Sequence, residues 1–595
     1  MEPNDGNDYL FWWLVPALVC LCVAFAWSNH FGNGFHWDDF PGIVNNRAIQ
    51  SVSLPRFFAQ PRTSSELPEQ TQYRPLLTTS FALNRAVAGG EPWVFQLDTF
   101  VWFAILIGFI YALFRVLPGS THLSAAVGAG LFAVHPAIAD TVNYVSRRGT
   151  VIAALGIVAG LAIRIVWPKM LPNRLWVDTR RTTVNWQEDL LIARAARRNA
   201  LYRRFIHMPL GLYLIPVALA MLVDPIAALF APLLAVYLWL FEPEDAKLRR
   251  VLPAAILCGG YFLFATFLTW RFDSASRIPF PNWVPTEMFI VARYLFYFIA
   301  PVNLSPDSGM KAFTLGDWPL VIGGIGVVVG MIALAMHTAR RTEWRAVSFG
   351  LWWFLITLLP TVLLPGSMVD ANHRMFLPFI GLALAFTRAA WLLAARLSVS
   401  LRVPALAIGF LLCGVVLAAA SWGTFERNKI WESEETLWQT ALRMSPQNGR
   451  ALTRAGEAAF ANADSSVAHE DLGLAEPLVA GNASLETALA LAFDQLGDDT
   501  AAQKHFQLAV TAGPDYARAW SAWSRWLFLR QKRDEAFRLA GKAILLEPTD
   551  ATAAHTLIDV YSQRFDWDRV KATAQTLLAI YPYDEAARNS LVLAN

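Results

Sequence analysis

Two adjacent carboxylates, Asp38 and Asp39, stand in the segment FHWDDFPGIVNN, just past the first long apolar run. Carboxylates at a membrane boundary are costly unless they bind a cation or a polar ligand, or act as a base. Transfer of a glycosyl group to a hydroxyl needs such a base, to take the acceptor proton as the new bond forms. A solvated loop or a helix N-cap would use the same residue types. Further along, QYRPLLTTSFALN puts Arg74 ahead of Pro75, at the start of a helix. Arg grips phosphate bidentately; an interfacial anchor is the plainer reading. HPAIADTVNYVSRRGT crowds His135, Asp140, Asn143, Arg147 and Arg148 between two apolar runs, which implies a lined cavity. Within it His135 reads as a structural feature before Pro136, and Arg148 as the better phosphate ligand. PGSMVDANHRMFLPFIG carries Asp370, Asn372, His373 and Arg374. APVNLSPDSG and Asp224 in MLVDPIAALFAP complete six polar clusters.

The elements that must position these residues are apolar. Of 595 residues 55% are hydrophobic and 16% charged, where a soluble domain carries about a quarter charged. The net charge of +3 gives no case for a nucleic-acid partner. The four cysteines all lie in apolar runs, so neither a disulfide framework nor a Cys-based metal site is expected. Runs long enough to cross a bilayer fall near 10–29, 97–117, 121–138, 150–167, 205–222, 224–241, 252–270, 287–304, 318–338, 347–365, 374–396 and 402–423. The first is preceded by MEPNDGND, without a basic n-region or a clear cleavage site, and reads as a retained span.

Lys and Arg concentrate in 168–204, 242–251, 339–346 and 396–402, which are therefore assigned to the cytoplasm. Parity then allows eleven crossings. The Pro-flanked segment 287–304 is expected to be re-entrant or interfacial on the outer side. In this topology all six polar clusters, and the chain after 425, lie outside. One active site would require that convergence.

From about Glu426 the charge returns and alanine rises. Pro446, Pro514, Pro548 and Pro582 are spaced at 34 residues or twice that, which is the tetratricopeptide period. Each unit is two helices that bury their apolar faces only by stacking. The signal is strong from Pro514 to Pro582 and weak over 450–480, where no Pro marks a boundary.

WDDFPGIVNN, YRPLLTTSFALN, HPAIADTVNYVSRRGTVIAAL, ARYLFYFIAPVNLSPD, NHRMFLPFIGLAL and TFERNKIWESEETLWQTALRMSP, in that order, resemble the transmembrane and tetratricopeptide-repeat O-mannosyltransferase family of the GT-C superfamily, as a bacterial-type relative. The resemblance implies an all-α fold: a polytopic membrane helix bundle of about 11–12 spans over 1–425, with its first external loop at 30–96 and a basic cytoplasmic loop at 168–204, then an α-solenoid of tetratricopeptide repeats over 426–595. It implies transfer of a sugar from a polyprenyl-phosphate-linked donor to a Ser or Thr hydroxyl of an exported protein, with inversion, the acceptor being recruited by the repeats.

Asp38 would be the catalytic carboxylate and Asp39 its neighbour. Arg74, His135, Arg147, Arg148, His373 and Arg374 would bind the donor phosphate or shape the site. No cofactor or metal ligand set is implied, although a divalent ion held by Asp38 and Asp39 is an alternative. The expected partners are the lipid-linked donor, an acceptor protein and membrane lipids. The expected place is a bacterial inner membrane with the site facing the periplasm, or the lumen of the endoplasmic reticulum in a eukaryote. Thr150, Val223-Asp224, Asn372, Gln96 and Asp98 depart from the family's pattern and leave the sugar open. The alternatives are a transferase of preassembled glycans and a non-catalytic scaffold or transporter.

Overall fold

The computed structural model describes residues 6–67, 70–170, 211–242, 247–269, 278–366, 368–401 and 405–595. The chain is all-α among the described residues: a polytopic membrane helix bundle followed by an α-solenoid of paired helices. Most of the basic loop 168–204 and part of the 242–251 loop lie outside the described residues. Seven described helices are long and apolar enough to cross a membrane. An eighth span is formed if His122–Ala133 and Pro136–Asn143, bent by 53°, count as one.

The bend has a local cause. Pro136 cannot donate to the preceding turn, and His135 caps the new start by accepting from the Ala137 N–H. A second break separates Leu214–Met221 from Pro225–Phe241, where Asp224 accepts from the Ile226 N–H. Gly350 and Gly381 are required where the helices Arg345–Leu363 and Phe376–Leu401 pack together. A Cβ on either would run into the other's carbonyl.

The segment expected to be broken, 287–304, is instead one continuous helix, Phe280–Ile299. Pro281 stands in its first turn, where proline costs little, and only Pro285 lies deeper. It is not among the described helices that are long and apolar enough to cross. Pro279 at its start and Asp307 beyond its end line the same cavity. Along its length Trp283 donates to Thr361 O (2.9 Å), Arg374 pairs with Glu287 (3.3 Å) and Arg293 with Asp370 (3.2 Å). The first part of the helix thus meets the ends of its neighbours at Thr361, Asp370 and Arg374, while Phe298 near its end packs on Phe379 and Phe386.

The solenoid enters through the helix Glu434–Met444 and continues as the pairs 449–461/465–479, 483–495/499–512, 517–529/533–546 and 551–563/567–580, ending at Glu585–Leu593. Its period is written in the helix starts. Asn448, Asn482, Asp550 and Asp584 are N-caps at 34-residue steps or a double step, as are Asp464, Asp498 and Asp566. Each side chain accepts backbone N–H bonds of the first turn, worth about 1 kcal/mol. The stretch 450–480, which lacks the proline marker, is thus a full repeat set by its caps.

Candidate active site

The turn before Asp38 is held under strain. Trp37 has φ +46, a conformation that costs a bulky residue about 1–3 kcal/mol. Edge-on contacts with Tyr144, Trp431 and Trp438 hold it there, at 5.4, 5.8 and 5.4 Å. The Asp38 N–H donates to the Tyr144 hydroxyl (2.9 Å). The two carboxylates consequently diverge.

Asp38 opens into a cavity of about 1280 Å³, its side chain 39% exposed. Gln70 donates to its Oδ1 (2.8 Å) and Arg147 to its Oδ2 (3.3 Å). Asp39 is wholly buried and accepts from the N–H and hydroxyl of Ser146 and from the N–H of His36. Burial pushes the Asp39 carboxyl up to about 6, against the opposing pull of Ser146 and His36. With its oxygens so engaged, Asp39 does not fit the role of a metal ligand shared with Asp38. No cluster of three or more candidate metal ligands occurs among the described residues.

The sequence-predicted residues separate into two groups. Arg147 and His373 line the cavity with Asp38. Arg147 lines the chamber, whereas Arg374 and Arg74 stand behind its wall, near enough to act electrostatically on His373. Each is held by one carboxylate: Arg147 by Asp38, Arg374 by Glu287 and Arg74 by Asp224, all at 3.3 Å. Arg374 also donates to the carbonyls of Met368 and Val369 and lies over the Trp283 ring.

The second group is engaged elsewhere. Arg148 is fully buried. Its Nε donates to Thr99, its Nη1 to Ser80, Asn84 and Asp98, and its Nη2 to the Phe95 carbonyl. The geometry thus brings Arg147, and not Arg148, to the cavity. His135 stacks on Phe298 (5.3 Å), with Nε2 3.1 Å from the Phe298 carbonyl. Asp140 forms a buried ion pair with Arg427 (2.6 Å) and also accepts from Asn372 and Trp431. Asn143 joins His30, Asn33 and Asn428 in one buried hydrogen-bond network.

Sequence reasoning missed Gln70, Tyr144, Glu287, Arg427 and Glu434. Glu434 lines the cavity and lies 2.8 Å from Nδ1 of the buried His36. Burial acts to raise its carboxyl, but His36 and the Trp438 N–H together bring it below the ordinary range. The far wall of the cavity is formed by the repeats, through Arg450, Arg454, Asn482 and Tyr516. Near it Arg450 pairs with Asp307 (3.2 Å).

No family model matches the chain. It is 21% identical over 488 residues to human Protein O-mannosyl-transferase TMTC3, covering 75% of this chain and 49% of that protein. Over 147 residues it is 31% identical to Protein O-mannosyl-transferase Tmtc2 of Drosophila melanogaster, covering 23% of this chain and 15% of that one. The chain spans about half the length of the first of these relatives. Among solved structures, ArnT from Cupriavidus metallidurans bound to undecaprenyl phosphate aligns with a TM-score of 0.34 and 13% identity, over 86% of this chain and 81% of that chain.

Proposed function

We propose that this integral membrane protein, which resembles the transmembrane and tetratricopeptide-repeat O-mannosyltransferases, moves a sugar from a polyprenyl-phosphate-linked donor to a Ser or Thr hydroxyl of an exported protein. The observation that carries the reading is the setting of Asp38: a half-exposed carboxylate, bonded to Arg147, in a chamber shared by membrane-side loops and repeat helices. At about 1280 Å³ the chamber exceeds the roughly 300–1,000 Å³ of ordinary small-molecule pockets. It has room for donor headgroup and acceptor together.

In this mechanism Asp38 takes the hydroxyl proton while the acceptor oxygen attacks C1 of the sugar. The C1–O bond to phosphate breaks and the configuration inverts. Negative charge growing on the leaving phosphate meets Arg147 on the chamber wall, with the positive field of Arg374 and Arg74 behind it. Asp39 acts at one remove, by holding the Asp38 turn against Ser146. The repeats bring the acceptor to the cavity mouth, and site and repeats face the exported side. The test is transfer from a polyprenyl-phosphate sugar to protein by the purified chain, with the Asp38→Asn variant beside it.

A further inference from the structure

The first external loop touches the solenoid at both of its ends. At the near end, the buried His36 meets Glu434. At the far end, Arg62 donates to the Thr549 hydroxyl and its guanidinium lies 5.2 Å over the Tyr581 ring. The Tyr583 hydroxyl reaches the Arg62 carbonyl at 3.5 Å, and Tyr581 donates to Thr549 O (2.9 Å). Between the two contacts lies the cavity, with Glu66 and Leu67 of the loop on one side and Arg454, Asn482 and Tyr516 of the repeats on the other. The loop therefore ties the end of the solenoid back toward its beginning, beside a half-open passage lined by Asp38.

Size decides what enters such a passage. A folded domain of about 100 residues has a radius of gyration near 13 Å, hence a body of roughly 20,000 Å³. The cavity is about 1280 Å³. An extended chain takes roughly 160 Å³ per residue, from the rise of a strand and the spacings of strands and sheets. The cavity thus holds on the order of eight residues of extended chain. Its walls mix Arg450 and Arg454 with Glu457 and Glu66, so they select for neither sign of charge.

We infer that the acceptor enters as a locally unfolded polypeptide segment, and that the contact of Arg62 with Tyr581 and Tyr583 is the latch that excludes folded protein. The inference rests on the transferase reading for its purpose, but not for its test. The probe is one small disulfide-bonded protein, presented in native form and in reduced, alkylated form. Binding of each to the full-length chain in detergent is read by fluorescence anisotropy. The unfolded form should bind at least tenfold more tightly. Arg62→Ala, and independently Tyr583→Ala, should cut that preference to below threefold by admitting native protein. Equal affinity for the two forms, or no binding of the unfolded form, overturns the proposal, and an unchanged preference in both variants overturns the latch. The readout is binding. A chain that discriminates and yet transfers no sugar would therefore sink the transferase reading and leave this one standing.

Discussion

Arg147 places its guanidinium 3.3 Å from the Asp38 carboxylate at the floor of the cavity, whereas the next side chain, Arg148, points into the bundle and is spent on Asp98, Thr99, Ser80, Asn84 and the Phe95 carbonyl. Two consecutive arginines thus have different tasks, and substitution should separate them. Arg147→Ala should weaken donor binding by about 1.5–3 kcal/mol, the worth of a charge-assisted hydrogen bond, with its melting temperature near wild type. Arg148→Lys cannot serve a planar, multiply bonded site and should lower thermal stability first. Melting curves and donor titrations on both variants check this; the opposite assignment of effects would exchange the two roles.

Asp39 sets a pH dependence of stability. Its folded carboxyl sits at about 6, raised by burial from 3.8. Between those values the native state binds more protons than the unfolded chain. The contribution of Asp39 to stability is therefore present at low pH and is lost as pH rises through about 6. Relative to Asp39→Asn, wild type should lose up to about 3 kcal/mol between pH 4 and pH 7, at 1.36 kcal/mol per pKa unit. Denaturation of both proteins across that range measures the difference; parallel curves would remove the buried carboxyl from the account.

Asp140 and Arg427 form a buried pair that fastens the last apolar helix to the His-Pro segment. Removing one partner leaves an uncompensated charge and should cost about 3–5 kcal/mol, whereas Asp140→Leu with Arg427→Met should cost much less. Thermal unfolding of the single and double variants tests the pair. A stable Asp140→Ala protein that had lost only turnover would turn Asp140 into an active-site residue.

Orientation is testable without substrate. The described cysteines, Cys20, Cys22, Cys258 and Cys413, all precede the repeats. A cysteine placed at Ser465, at the start of a repeat helix, should react with an impermeant reagent only from the exported side. Labelling from the cytoplasm alone would reverse the topology and the acceptor role with it.

The parts legible in the sequence are those that follow a period or a transfer energy. Most apolar runs of span length fall on helices, although 224–241 forms a short one and 121–138 a bent pair, and prolines at 34-residue steps located the later repeats. The first repeat was faint because its signal lies in Asn448, Asp464 and Asn482, polar residues that look like loop until their N-cap bonds are seen. The polar clusters were visible as misfits in apolar surroundings, yet their composition is the same whether a group faces a cavity or a buried partner. Asp38 and Asp39 differ by one peptide unit, and the strained Trp37 turn sends them to different environments. The preference for Arg148 as phosphate ligand failed for the same reason: its neighbour Arg147, alike in composition, is the one that lines the cavity. The partners Gln70, Glu287 and Glu434 come from distant segments, so no local pattern could announce them.

The most direct measurement is the initial rate of sugar transfer against donor concentration, for purified wild type and Asp38→Asn. Asn is nearly isosteric and leaves the Asp38 N–H bond to Tyr144 in place. Base catalysis is worth about 10²–10⁴-fold. The account predicts a fall in kcat of that order, with the donor concentration at half-maximal rate nearly unchanged and the melting temperature preserved. A chelator should change neither protein's rate, because Asp39 is not free to share a cation. Full activity in Asp38→Asn would contradict the central claim and return the search for the base to the other acidic groups of the cavity, Glu434 first.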